Sequence, residues 1–250
     1  MDLKEKTQNE NRHPWELSRT KNLLHIIKKC LLDKNNVKIA DIGAGDMYFD
    51  KQLVEKLKDE NITPIIFAID KEYSKQISHE KEIIMLNDIQ ILEKESMDCI
   101  IMMDVLEHIE DDSKFLELVL DRLKENGVLI VTVPAFQSLF SFHDTFLLHF
   151  RRYQYEKLQN LLLRNKFEVI HSHYFYTTLY LARWLQLKLE KVWPSKRTTG
   201  IGMWKYSQAN LITKSFASIL NADFCFNGIF SKIGVRLPGL SLLAVVKKRL

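Results

Sequence analysis

The sequence predicts an α/β fold in which helices cover both faces of a mostly parallel β-sheet. Short apolar runs alternate with amphipathic helical segments along most of the chain, which is the order expected of βαβ units. Most of these runs are apolar throughout, as in strands that are buried on both faces. A glycine-containing loop joins the first run to the next helix within residues 37–50. With 250 residues, the chain can form one such domain with an insertion.

Seven apolar runs have the length of buried strands, and turn residues or helical segments separate them. Six other segments have apolar residues at helical spacing. The strands are predicted at 37–41, 65–69, 83–86, 99–103, 128–133, 167–173 and 240–246, and the helices at 14–31, 48–58, 111–124, 155–165, 179–193 and 208–220.

The regular alternation divides the chain into four parts. Residues 1–36 form an N-terminal arm and helix, and residues 37–176 form the core of the sheet. Residues 177–236 are a basic, aromatic helical insertion, and residues 237–250 supply the last strand. An aromatic loop at 135–153 interrupts the core. We therefore expect one α/β unit with a helical addition before its final strand.

The charge of the chain is uneven. Residues 1–150 hold 19 Lys and Arg against 28 Asp and Glu, whereas residues 151–250 hold 17 against 4. A basic, aromatic region suits an anionic membrane surface, a phosphorylated substrate or nucleic acid, or it is a solvated face without a partner. No apolar run is long enough to span a bilayer, and residues 1–8 are polar, so we expect a cytoplasmic protein.

The three cysteines, Cys30, Cys99 and Cys225, are far apart and show no C-x-x-C spacing. This spacing predicts neither a disulfide framework nor a zinc site, and we expect no metal.

Acidic residues follow four successive predicted strands: Asp41, Asp70, Asp88 and Asp104. Ligands of parallel α/β sheets bind outside the carboxyl ends of the strands, so these residues indicate a common ligand site. Glycines in the loop after the first strand permit positive φ and allow a ligand to approach the backbone. A carboxylate after the second strand can accept hydrogen bonds from a ribose.

Several motifs resemble those of class I S-adenosylmethionine (SAM)-dependent methyltransferases, in the small-molecule and lipid-modifying branch (type 11/12-like). They are Asp-Ile-Gly-Ala-Gly-Asp at 41–46, Ala-Ile-Asp at 68–70, Asn-Asp at 87–88, Asp-Val-Leu-Glu-His-Ile-Glu-Asp at 104–111 and the run 123–134. The resemblance covers residues 12–173 and the last strand. It implies a Rossmann-like doubly wound, seven-stranded sheet, SAM as cofactor and S-adenosylhomocysteine as product.

The resemblance also implies roles for individual residues. The cofactor is expected to contact Asp41, Gly43 and Gly45 at its methionine end, Asp70 and Lys71 at the ribose, Asp88 and Ile89 at the adenine, and Met103, Asp104 and His108 around the methionine moiety. The N-terminal segment 12–19 is expected to fold over the cofactor. One departure is Met47, which stands where the family has its third glycine.

Methyl transfer from a sulfonium needs an in-line acceptor and, for a hydroxyl, a base. We expect His143 or His149 of the aromatic loop to be that base, although each could instead be structural. Asp144, Arg151 and Tyr153 are the candidate substrate-binding residues: Asp144 could also orient either histidine, and Arg151 could bind an anionic substrate group. A His-x-Arg-Arg-Tyr run introduces the same helix in related methyltransferases, which favours a structural or lid role for at least Arg152 and Tyr153.

The sequence leaves other functions open. The insertion 177–236 is a lid, a dimer face or an element that binds an anionic membrane, the last because leucines and aromatic residues alternate there with cations. We expect a small-molecule or lipid-linked acceptor, methylated at oxygen. The alternatives are nucleic-acid methylation, which the end of the fourth strand disfavours, and a non-catalytic SAM-fold module. A nicotinamide-dependent enzyme is disfavoured by Tyr48, where G-x-G-x-x-G requires its last small residue.

Overall fold

The computed structural model describes residues 11–74, 78–192 and 205–249. An eight-stranded sheet forms its centre. The strands are β1 (Asn36–Ile42), β2 (Thr63–Ile69), β3 (Ser78–Glu80), β4 (Ile83–Leu86), β5 (Met97–Met103), β6 (Leu123–Pro134), β7 (Phe167–Phe175) and β8 (Ser241–Lys248).

The strands lie in the order β3-β4-β2-β1-β5-β6-β8-β7. The five neighbouring strands β4, β2, β1, β5 and β6 pair in parallel. Strand β8 pairs antiparallel with both β6 and β7, and β3 pairs antiparallel with β4 at the opposite edge. The predicted α/β class and the mostly parallel sheet are thus confirmed. The prediction of seven strands missed β3, because three polar residues are too short to show an alternating pattern.

Helices cover both faces of the sheet. They are α1 (Pro14–Leu31), α2 (Tyr48–Lys58), α3 (Asp112–Arg122), α4 (Phe142–Phe146), α5 (Tyr155–Arg164), α6 (Thr177–Val192) and α7 (Leu211–Lys232). Apolar residues of α3 and α5 pack in the core on one face. Those of α1, α2 and α7 pack in the core on the other face. The sheet is therefore buried on both sides, as its continuous apolar strands predicted.

Helix α7 is longer than the predicted segment 208–220. Its buried residues include Leu220 and Phe224, while Phe226 and Ile229 are exposed, so the apolar residues do not mark one face and the helical period is obscured. The predicted end of the preceding helix at Trp193 lies outside the described residues.

Helix α6 is held at its start by a carboxylate from α7. The backbone N–H groups of Thr177 and Thr178 donate to Asp223 Oδ1 and Oδ2, at 2.9 and 2.8 Å. These N–H groups have no partner within a helix, and an acidic side chain satisfies them and favours the positive end of the helix dipole. The contact fixes the position from which α6 leaves the sheet.

Several residues at the carboxyl ends of the strands have left-handed backbone conformations. Gly43 follows β1 with φ +77°, and Asp104, Phe136 and Tyr176 follow β5, β6 and β7 with φ +55°, +61° and +65°. Met47, at the position of the family's third glycine, also has positive φ, +58°. Such conformations cost about 1–3 kcal/mol for residues other than glycine and cluster at functional sites.

Within the three described ranges, no helix combines the length and the apolar character needed to cross a membrane.

Candidate active site

A large cavity lies at the carboxyl ends of β1, β2, β4, β5, β6 and β7. Its volume is 1630 Å³, whereas sites for one small ligand usually occupy about 300–1,000 Å³. The ends of the strands form its floor, helices α1 and α6 supply parts of its wall, and the segment around α4 closes another side. The volume is sufficient for two small molecules side by side.

Most residues predicted to bind the cofactor line this cavity. They are Gly43, Asp70, Lys71, Asp88, Ile89, Met103, Asp104 and His108. The acidic ends of β2, β4 and β5 thus meet at one edge, as the sequence predicted. Gly43 packs closely against the next strand end, because a Cβ atom there would lie 2.7 Å from Val105 Cγ2.

Asp70 ties the glycine loop to the end of β2. Its Oδ2 accepts a hydrogen bond from the Gly45 N–H at 3.1 Å, and its Oδ1 accepts one from the Glu72 N–H at 3.0 Å. The Tyr73 hydroxyl donates to the Gly45 carbonyl oxygen at 2.6 Å. Gly45 itself does not line the cavity, so it shapes the loop through these bonds.

Asp41 is placed differently from its neighbours. It is fully buried, does not line the cavity, and lies close to Asp50, which is also fully buried. Burial raises the pKa of Asp41 to about 7. Burial and the charge of Asp41 both raise the pKa of Asp50 well above its usual range. Two carboxyl groups that share a dry site cannot both ionise easily, so the pair favours at least one proton.

The N-terminal helix brings charged and aromatic residues to the cavity. His13, Trp15 and Arg19 line it, and the buried Arg19 pairs with Asp104 at the end of β5. The Arg19 guanidinium also stacks on the Trp15 ring at 4.8 Å. Arg12 pairs with Asp46 of the glycine loop. Helix α1 and the residue before it are thereby fastened to the end of β5 and to the glycine loop.

The aromatic loop presents two histidines to the same cavity, His143 and His149. The His149 Nδ1 lies 3.1 Å from Asp144 Oδ1, which also accepts a hydrogen bond from Arg152 Nε at 2.7 Å. The second oxygen of Asp144 accepts bonds from the Ser141 N–H and hydroxyl, at 2.9 and 3.0 Å. Although Asp144 is buried, its hydrogen bonds with His149 and Arg152 hold its pKa well below the usual range. Burial lowers the pKa of His143.

Arg151 and Tyr153 do not line the cavity. Arg151 Nη1 pairs with Asp112 Oδ2 at 2.7 Å, and the Tyr153 hydroxyl lies 2.8 Å from the same oxygen. Asp144 does not line the cavity either, and it acts on the site through His149. None of these three predicted substrate-binding residues lines the cavity, and only Asp144 among them contacts one of the two histidines.

A family model described as a methyltransferase domain matches residues 16–187. The chain belongs to this family. It is a class I SAM-dependent methyltransferase of the type 11/12-like kind, as the motifs predicted. No curated protein matches the chain.

Solved structures with the same fold include a protein assigned as a sarcosine dimethylglycine methyltransferase from Galdieria sulphuraria. It is 15% identical, with a TM-score of 0.57, over 92% of this chain and 84% of that one. The phosphoethanolamine N-methyltransferase 2 of Haemonchus contortus, solved with SAM, is 14% identical, with a TM-score of 0.55. That match covers 92% of this methyltransferase and 53% of the other chain. The [4+2]-cyclase SpnF is 14% identical, with a TM-score of 0.54, over 97% and 85% of the two chains.

Sequence reasoning missed two features of the site. Glu107 is fully buried beside the cavity, and burial together with the charge of Asp104 raises its pKa well above the usual range. The only sequence signal was its place within the motif 104–111. The inner side of α6 was also missed, because the helix was considered as a separate insertion. Arg183 of α6 donates to Ser141 Oγ at 2.8 Å and so connects the helix to α4.

Replacing Asp41 with Asn should make the stability of this methyltransferase less sensitive to pH. The folded-state pKa of Asp41 is about 7, above the unfolded value of about 4. Wild type therefore loses stability as pH rises through this window, by up to about 1.4 kcal/mol per unit. An amide has no proton to lose. The free energy of unfolding of Asp41→Asn should therefore increase relative to that of wild type between about pH 5 and about pH 8.

Urea unfolding at both pH values measures this difference. The exposed Asp59→Asn is the matched control and should follow wild type. A constant difference between wild type and Asp41→Asn across the range would contradict the shifted pKa.

Proposed function

We propose that this methyltransferase transfers the methyl group of SAM to an oxygen of a small-molecule or lipid-linked acceptor. The observation that carries the proposal is that one cavity is lined both by the strand-end residues expected to hold SAM and by His143 and His149. An acceptor beside the histidines would lie within reach of the cofactor methyl group. The volume of the cavity supports a cofactor and an acceptor bound together.

The residues at the strand ends fit SAM. Asp70 is held by two backbone N–H groups, so its carboxylate is oriented before a ribose binds. Asp88 is likewise held, since its Oδ1 accepts from the Gln90 N–H at 2.8 Å. Ile89 and Met103 add apolar surface. Asp104 and Trp15 line the same part of the cavity, where both are held by Arg19.

When bound, SAM supplies a methyl group that is already activated by its sulfonium. The residues of the chain then need to orient the acceptor, exclude water and accept a proton. His143 lies on the cavity wall and is half-buried, which suits a neutral imidazole that takes the proton of an acceptor hydroxyl. Apolar residues of α4 and α6, among them Phe142 and Leu187, line the same space and support an acceptor with an apolar part.

SAM should bind this methyltransferase, and Asp70→Ala should weaken it by about 1.5 to 3 kcal/mol, because hydrogen bonds to a charged group are lost. Isothermal titration calorimetry measures the change. Asp70→Asn keeps one acceptor oxygen for the glycine loop, so its affinity for SAM should lie between those of wild type and Asp70→Ala. Asp59→Ala is the surface control. NAD binding in place of SAM would reject the proposed function, and unchanged affinity in Asp70→Ala would put the ribose elsewhere.

His143→Ala should lower turnover by about 10²- to 10⁴-fold while the affinity for SAM stays the same, if His143 is the base. The assay follows labelled methyl from SAM into small-molecule and lipid extracts and tests whether the new bond is to oxygen. His25→Ala, on the outer side of α1, is the control. Normal turnover in His143→Ala would remove this residue from catalysis. If SAM binds but no labelled methyl group enters the small-molecule or lipid extracts, the chain is better explained as a non-catalytic SAM-binding module.

We also propose that α6 and α7 meet an anionic membrane surface that carries the acceptor. Leu181, Leu185 and Leu189 form an outward stripe on α6, between 52% and 58% exposed, whereas Arg183 and Leu187 of the same helix line the cavity. Helix α7 adds exposed apolar residues such as Phe216 and Phe226. With the cation excess after residue 150, these side chains support binding at a membrane surface.

Sedimentation with vesicles tests the membrane proposal. Wild type should bind vesicles with anionic lipids more strongly than neutral ones, and the triple variant Leu181→Gln, Leu185→Gln, Leu189→Gln should bind at least about tenfold more weakly. The matched control replaces three exposed apolar residues elsewhere, Leu32, Leu163 and Ile170, and should bind as wild type does. Equal binding to both kinds of vesicle, or no effect of the triple variant, would contradict the proposal.

A further inference from the structure

Three side chains that commonly bind metals come together on the cavity wall: Glu107, His108 and His149. One ligand atom from each lies within 4.8 Å of the other two. The rings of His108 and His149 meet edge to face, with centroids 4.6 Å apart. Glu107 and His108 belong to the turn after β5, and His149 lies just beyond α4. The Phe150 N–H donates to the Glu107 carbonyl oxygen at 2.8 Å and fastens the two segments together.

Glu107 lacks a partner that its burial would require. Its side chain is 0% exposed, and neither carboxylate oxygen has a hydrogen-bond partner among the described residues. A buried carboxylate without a hydrogen bond or an opposite charge is strongly unfavourable. The charges of Arg19 and Arg152 act on Glu107 without a bond to it, and a cation between Glu107 and the two histidines would supply the missing bonds.

The ring of His149 is fixed by the Asp144 carboxylate. Asp144 only accepts hydrogen bonds, so in the neutral imidazole Nδ1 carries the proton and Nε2 keeps its electron pair for a ligand. Asp144 is itself fixed by Ser141 and Arg152. Metal-binding histidines usually have such a carboxylate on the other ring nitrogen, which fixes the ring and increases its basicity.

We propose that Glu107, His108 and His149 bind a divalent cation, and that this cation binds and activates the oxygen of the methyl acceptor. Two imidazoles and one carboxylate suit zinc, iron(II), manganese or cobalt better than calcium or magnesium, which prefer oxygen ligands. Three protein ligands leave positions open on the cavity side. The cysteine spacing led us to expect no metal, but this set contains no cysteine.

The proposal rests on the proposed function and specifies its acceptor. Such a cation favours an acceptor with a hydroxyl beside a second oxygen, as in a vicinal diol or a catechol, because both oxygens can bind it. The bound hydroxyl loses its proton more easily, and the proton passes to solvent or to His143. The resulting oxygen forms the new bond to the methyl carbon. The carbon–sulfur bond of SAM breaks, and its electron pair stays on sulfur, which leaves a neutral thioether.

Metal binding can be tested without an acceptor. The full chain is treated with a chelator, dialysed and titrated with zinc, manganese or cobalt chloride by calorimetry, and cobalt is also followed by its visible absorption. We expect one cation per chain. Glu107→Gln, His108→Ala and His149→Ala should each weaken binding by at least about tenfold, and Asp144→Asn by about 10- to 100-fold. His25→Ala should bind as wild type does.

SAM binding by the same samples separates the two proposals. Glu107→Gln keeps the shape of the side chain and replaces the carboxyl group with a neutral amide, so it should fold and bind SAM. If wild type binds SAM but no cation, or if the variants bind the cation as well as His25→Ala does, the metal site is wrong and the methyltransferase function stands. Cation binding without SAM binding would instead reject the proposed function.

Methyl transfer to a catechol provides the last readout. Chelator treatment should abolish it, and adding back the cation that binds should restore it in wild type but not in His149→Ala. Transfer that is unaffected by the chelator would overturn the role of the cation in activating the acceptor.

Discussion

The site depends on one constraint, the common direction of six strands. Strands β1, β2, β4, β5, β6 and β7 all end at the same edge of the sheet, so the chain must turn away there six times. At β5, β6 and β7 it turns through residues with positive φ, namely Asp104, Phe136 and Tyr176. The last residues of these strands are mostly buried. Their packing holds these costly turns in place, and the turns direct polar groups into one cavity.

Buried charges divide into two kinds around this edge. Arg19 and Asp104 form a pair, and Asp144 is satisfied by Ser141, His149 and Arg152. Glu107 and the Asp41–Asp50 pair instead form no ion pair among the described residues, and burial raises their pKa values. The two kinds have different consequences. The paired groups fix the positions of helices and loops, whereas the groups without an ion pair hold their protons more tightly.

The sequence was sufficient to predict the edge of the sheet but not the contacts across it. Asp70, Asp88 and Asp104 could be placed because each directly follows an apolar strand, and strand direction alone brings them together. Asp41 could not be distinguished from them, since strand position does not tell whether a side chain faces a cavity or a helix. Met47 shows a similar limit. Its backbone has positive φ. A glycine at this position would have predicted that conformation from the sequence, whereas a methionine does not.

The remaining site residues depend on contacts between distant segments. His108 and His149 are far apart in the chain and meet only because the aromatic loop folds back over the turn after β5. Arg151 and Tyr153 belong to the same loop, yet they face Asp112 on its other side. A segment without a regular period gives no rule for deciding which residues point inward. The sequence also could not distinguish the side of α6 that faces the cavity from the side that faces solvent, because both sides contain leucines.

The position of β8 determines when the fold can be completed during synthesis. Strand β7 meets the rest of the sheet only through β8, which is inserted between β6 and β7. Residues 167–175 thus emerge from the ribosome long before residues 241–248, and until then β7 has no strand partner. An apolar edge that must wait for a distant segment is exposed to wrong pairing. In the interval, α5 and the helices that follow β7 are available to cover this strand.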